Sequence, residues 1–169
     1  MNKQRKAFTL IELLVVIAII GLLSTIAVVA TNSTRVKARN AKKYSDVKQL
    51  ITTFNLVYSD LGYYPATATN WACVSTVCTG WGGQFGGVLA VDNAIIPKYL
   101  SSKPVFPADS STYNYGGYIF NSSWGGDGGA GLPGGVALIY TLEGSVPCNL
   151  GRLYSTTSAY TECVAYLDL

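Results

Sequence analysis

Apolar positions are unevenly placed along this chain, and their spacing changes partway. From Phe8 to Ala30 the sequence reads FTLIELLVVIAIIGLLSTIAVVA, in which Glu12 is the only charge. Such a run predicts a helix that meets apolar material on every side. At ~1.5 Å per residue it reaches roughly 34 Å, enough for a hydrocarbon core about 30 Å thick. Beyond Ala30 the helical pattern takes another form. Val47, Leu50, Ile51, Phe54, Val57, Tyr58 and Leu61 recur at spacings of three and four, which draws one apolar stripe on an amphipathic helix. Gly62 offers a C-terminal stop, and Pro65 prevents resumption. The expectation is one helix from about Phe8 to Leu61, roughly 80 Å long. Its first half suits a membrane interior, and its second half suits covering a sheet.

The rest of the chain reads differently. Residues 62–112 are rich in Gly, Ser and Thr, with few strand patterns; Ala94–Leu100 suggests a short helix or turn, and Pro104 and Pro107 break the chain after it. Three aromatic or β-branched runs come later: Tyr113–Asn121, Gly135–Glu143 and Tyr160–Leu167. Turn residues separate them, so they read as strands. Three or so antiparallel strands against the amphipathic stripe make an α+β domain. Their edges and Tyr-rich faces are then expected to serve contacts between copies.

Composition narrows the chemistry. The 169 residues suffice for one domain with a modest core. Charged residues make up 12%, about half the usual share. The net charge of +3 matches the three cations ahead of the apolar run, Lys3, Arg5 and Lys6; without them the chain is formally neutral. Histidine is absent, which weakens triads, His-ligated zinc and proton shuttles. Asp46, Asp60, Asp92, Asp109 and Asp127 are scattered, with no recognisable carboxylate pair or nucleophile motif, so no enzyme is expected. Arg35, Lys37, Arg39, Lys42 and Lys43 form a basic cluster past the apolar run. It suits lipid headgroups, acidic groups of other copies or DNA, against the plainer alternative of a solvated helix face. DNA binding is not supported, because no aromatic platform or groove signature accompanies it.

Four cysteines, Cys73, Cys78, Cys148 and Cys163, all lie beyond the apolar run. Outside the cytoplasm they imply two disulfides, with three connectivities open. The C-x4-C spacing of Cys73 and Cys78 resembles a small disulfide loop more than a zinc site.

The N-terminal run admits three readings. It is a plain membrane anchor, a secretory signal peptide cut after Ala30, or a segment retained after a cut ahead of it. The basic residues before it keep the N-terminus in the cytoplasm. Glu12 separates the readings. A carboxylate in an apolar helix costs about 2.5–3.5 kcal/mol on insertion scales, and neither an anchor nor a signal peptide gains from it. A buried acid asks for a cation, and none lies on the same helix within a turn or two. A free α-amino group on a neighbouring copy would serve.

The stretch K-A-F-T-L-I-E-L-L-V-V-I-A-I-I-G-L-L resembles the N-terminus of type IV pilins and type II secretion pseudopilins, which begins with a class III prepilin leader. The resemblance implies a pilin-like α+β fold, with a long N-terminal helix packed on a small antiparallel sheet. It implies a leader of residues 1–7, removed by prepilin peptidase between Ala7 and Phe8, and N-methylation at Phe8. Residues 8–31 would form the transmembrane or filament-core half of the helix, 32–61 its amphipathic half, and 62–169 the globular region. Glu12 would neutralise the N-terminal amine of an adjacent subunit during assembly. The sequence departs from the pattern twice. Ala7 stands where Gly is usual, and no helix-breaking Pro precedes Pro65, so the helix should be more continuous.

More distant similarities extend to about residue 121. Asp60-Leu61-Gly62-Tyr63-Tyr64-Pro65 resembles the NGxYP stretch of G-type pseudopilins and related pilins. Pro97-Lys98-Tyr99-Leu100, Phe106-Pro107 and Tyr113–Tyr118 resemble the later part of that family's pattern. Ser123-Trp124-Gly125-Gly126-Asp127-Gly128 resembles their Ca²⁺ loop, with Ser123 and Asp127 as candidate side-chain ligands. Calcium takes six to eight oxygens and the acidic residues expected downstream are missing, so a flexible loop without a cofactor is expected. The resemblance also implies a Cys148–Cys163 disulfide closing the C-terminal segment, which leaves Cys73 with Cys78.

The function so implied is that of a filament subunit for adhesion, motility or DNA uptake. It would sit in the cytoplasmic membrane before assembly and in an extracellular or periplasmic filament afterwards. Its partners would be other copies, prepilin peptidase, assembly machinery in the inner membrane, and lipid before polymerisation. The alternatives are a pseudopilin of a type II secretion system and, behind it, a secreted domain cut after Ala30.

Overall fold

The structure is a computed structural model, and it describes residues 8–67, 71–80, 83–84, 87–107, 115–126 and 131–167. The described elements run α1 (Leu10–Leu61), β1 (Ala72–Cys73), β2 (Thr79–Gly80), β3 (Gly83–Gln84), α2 (Leu89–Ile95), β4 (Tyr115–Gly116), β5 (Tyr118–Trp124), β6 (Gly135–Glu143), β7 (Arg152–Thr156) and β8 (Tyr160–Tyr166). The chain divides into two compact units, Met1–Ala38 and Arg39–Leu169.

In the first unit the described residues from Leu10 onward are all helical. The large apolar side chains from Phe8 to Ile26 are exposed, and α1 is long and apolar enough to cross a membrane. Two hydroxyls inside the run are satisfied locally. Ser24 Oγ donates to the Ile20 carbonyl and Thr25 Oγ1 to that of Leu22, both at 2.7 Å, so neither needs water.

The second unit is α+β. Its main sheet is antiparallel, in the order β1-β5-β6-β8-β7, and a smaller ribbon runs β3-β2-β4. The α1 stripe lies on one face. Val47, Leu50, Phe54 and Val57 are fully buried against Tyr118, Phe120, Leu138, Tyr140 and Leu142. Phe54 stacks on Phe120 with ring centroids 4.1 Å apart. Toward the end of α1 the stripe thins, and Tyr58 and Leu61 are exposed.

Residues of alternate parity point to the other face, as the two-residue strand period requires. There Ile119, Ala137, Ile139 and Val164 pack with Cys73, Cys78 and Leu132. Covered on both faces, β6 is buried without a break from Ala137 to Glu143.

The sheet therefore has five strands where three were expected. β5, β6 and β8 fall on the expected runs. β1, a two-residue strand beside β5, and β7 are the additions, and Gly151 admits β7. At a φ of 140°, a Cβ there would sit 2.1 Å from the Val164 carbonyl oxygen, so only glycine brings the chain this close to β8. The expected helix or turn at Ala94–Leu100 is a turn at 96–99 that follows a short helix, Leu89–Ile95, with Val91 and Ile95 buried. The Tyr-rich faces are also not free: Tyr118 and Tyr140 are completely buried under α1.

Candidate functional site

At the start of α1, Thr9 and Glu12 cap the helix reciprocally. The Thr9 N–H donates to Glu12 Oε2 at 2.9 Å and its hydroxyl donates to the same oxygen at 2.8 Å. In return, the Glu12 N–H donates to Thr9 Oγ1 at 3.3 Å. The T-x-x-E spacing is a capping box, which satisfies amides that a helix start leaves open. In the single chain the carboxylate is thus held by its own first turn. Thr9 escaped the sequence reading, although the spacing itself was the signal. Phe8 is exposed. Ala7 lies outside the described residues.

A second polar cluster gathers on Glu143, the last residue of β6. Its carboxylate accepts two hydrogen bonds of 2.6 Å from Arg39, from Nε to Oε1 and from Nη2 to Oε2. Its backbone is read by Asn40, whose Nδ2 donates to the Glu143 carbonyl at 3.0 Å while Oδ1 accepts from the Glu143 N–H at 2.9 Å. Lys43 Nζ lies 3.6 Å from Oε1, fully buried and 4.5 Å from the Phe106 ring centroid. One helical turn onward, Asp46 pairs with Lys42 and accepts from the buried Tyr118 hydroxyl at 2.9 Å. Burial, and then this hydrogen bond, push the Tyr118 hydroxyl well above its ordinary range.

The basic cluster is therefore not one solvated face. Arg39, Lys42 and Lys43 are engaged by carboxylates of the second unit, whereas Arg35 and Lys37 are exposed. Sequence spacing could not separate the two groups, because the decisive partner of Arg39 lies 104 residues away.

The cysteines form two disulfides, Cys73–Cys78 and Cys148–Cys163. The first closes a tight loop against β5. Gly117, at a φ of 113°, would place a Cβ 2.7 Å from Cys78 Sγ, so that contact also needs glycine. Of the calcium candidates, Asp127 lies outside the described residues, and Ser123 donates its N–H to Asn121 Oδ1 at 2.8 Å. Among the described residues, no group of three or more Cys, Asp or Glu side chains is placed to hold a metal ion.

An exposed apolar helix, capped through its own glutamate and joined to an α+β unit, defines a pilin-like architecture. Residues 2–28 match the prokaryotic N-terminal methylation motif, the class III prepilin leader of type IV pilins and pseudopilins. Searches of curated proteins and of solved structures returned no match. The motif and the apolar helix fit a membrane-anchored precursor that is later exported.

Proposed function

We propose that this chain is a structural subunit of an extracellular type IV pilus-like filament. Prepilin peptidase cuts between Ala7 and Phe8, the new N-terminus at Phe8 is methylated, and subunits polymerise through the apolar part of α1. The observation that carries this reading is Glu12, the one carboxylate in an otherwise apolar run. In the single chain it is satisfied by Thr9. In a filament it accepts the charged amine at Phe8 of the next copy, and two opposite charges withdrawn from water are each given a partner. Before assembly the same helix holds the subunit in the cytoplasmic membrane, with the globular unit outside. No cofactor is part of this scheme. The pseudopilin alternative rests on the similarity of the middle region, from the Asp60–Pro65 stretch to Tyr113–Tyr118, and it shares every step up to polymerisation.

Two measurements test the proposal. Mass spectrometry of the mature protein should find Phe8 as the methylated first residue; a chain beginning at Thr31 would mean a released domain and end the proposal. Glu12→Ala should leave cutting intact but prevent incorporation when no wild-type copy is present. Normal filaments built from that variant would rule out the role given to Glu12.

A further inference from the structure

A groove of about 350 Å³ opens between α1 and the segment 100–105. Clefts that bind small molecules start near this size, about 300 Å³, and combine an apolar lining with a few polar groups. We propose that this groove binds a neutral hexose-sized sugar ring.

Charge balance sets the class of ligand. On the α1 side, Lys42 is neutralised by Asp46. On the loop side, the Lys103 ammonium is turned away, 2.8 Å from Asp92 Oδ1 and donating to the Cys73 carbonyl at 2.9 Å. No uncompensated cation remains to select a phosphate or a carboxylate.

Hydrogen-bonding capacity sets the chemistry. Gln49, Ser101 and Ser102 line the groove and are exposed. None of their side chains makes a hydrogen bond among the described residues. One amide and two hydroxyls offer donors and acceptors together, as a ring of hydroxyl groups requires. Asp46 adds no acceptor of its own, since it is 2% exposed and its two oxygens are held by Lys42 and Tyr118.

The apolar part sets the shape. Leu50 and Leu100 are buried beneath the groove, and Val105, 66% exposed, presents apolar surface to it. A pyranose ring has hydroxyls on its edge and C–H groups on its face, so it meets both kinds of surface at once. None of the residues lining the groove belongs to the leader or to the apolar run.

The test uses the full chain in detergent micelles, with ¹⁵N-labelled amides. Methyl glycosides of glucose, mannose and galactose are titrated, with glucose 6-phosphate as the charged comparison. At least one glycoside should give saturable shifts at Gln49, Ser101 and Ser102, at about millimolar concentration. The double variant Gln49→Ala, Ser102→Ala changes only exposed side chains and should keep the amide spectrum of the fold. It should weaken binding by about tenfold, the worth of a hydrogen bond or two. A short oligosaccharide ending in the preferred hexose would distinguish the source: tighter binding assigns a glycan end, weaker binding a free sugar. Four results would overturn the proposal. They are no saturable shift at these amides with any glycoside, equal binding by the double variant, tightest binding of glucose 6-phosphate, or shifts that depend on protein concentration alone and so report a second copy in the groove.

Discussion

Glu143 accepts contacts from three residues spaced within five positions on α1, and its own side chain is only 7% exposed. Removing it takes a carboxylate partner from Arg39 and from the fully buried Lys43. Breaking a buried pair from one side costs about 3–5 kcal/mol, because the remaining charge is uncompensated. Glu143→Ala should lower unfolding free energy by that order in denaturant titrations, whereas truncating the exposed Arg35 should change it little. At this scale the sequence was legible in part. Glu12 stood out because an acid among aliphatic residues has few bland explanations. Asn40 and Glu143 were invisible, because a pair 103 residues apart leaves no periodic trace.

Elements show the same division for a different reason. The α1 stripe was readable because helix period and burial coincide, and so was β6, whose run of apolar residues reflects cover on both faces. β7 was not. RLYST carries little alternation, and its place is set by the close approach at Gly151. The two disulfides should matter unequally. The chain-entropy model gives about 3 kcal/mol for a closed loop of roughly 15 residues and about 2 kcal/mol for one of five or six. Replacing Cys148 and Cys163 together by Ser should therefore lower the melting temperature more than replacing Cys73 and Cys78.

The segment after α2 is held to α1 by charge. Lys98 donates to Asp60 at 2.5 Å, and the Tyr99 hydroxyl also donates to that carboxylate. The Lys98 hydrogen bond first, then that from Tyr99, hold the Asp60 carboxyl below its ordinary 3.8. The hydrogen bond to Asp60 raises Lys98 above 10.5. A depressed acid contributes fully above its unfolded value and loses that contribution as pH falls through the folded one. A raised base contributes fully below its unfolded value and loses it as pH rises through the folded one. The tie should thus hold from about pH 4 to about pH 10 and loosen on either side. Protection of the Tyr99 and Leu100 amides, measured against the unstructured exchange rate at each pH, should fall below that window, and Asp60→Asn should remove the acid-side dependence. Both side chains are exposed, so added salt should weaken the effect.

For the whole molecule, composition changes near Ala30, whereas the second compact unit begins at Arg39, which is hydrogen-bonded to Glu143 of β6. The second boundary is defined by side-chain chemistry, and two shortened chains make it measurable. A chain of residues 36–169 keeps Arg39, Asn40 and Lys43 together with the whole α1 stripe from Val47 onward. A chain of residues 44–169 keeps the same stripe, and so the same apolar contacts with the sheet, but leaves Glu143 without its three helix partners. If hydrophobic packing alone attached α1, the two would melt together. If the Glu143 cluster fixes the attachment, the shorter chain should lose about 3 kcal/mol, equivalent to roughly 10 °C for a domain of this size. The deficit should also shrink when Glu143→Gln is added to the shorter chain, because a neutral amide buried there costs less than an unpaired carboxylate. That recovery would separate the loss of a charge partner from the loss of one helical turn, which Glu143→Gln could not repair.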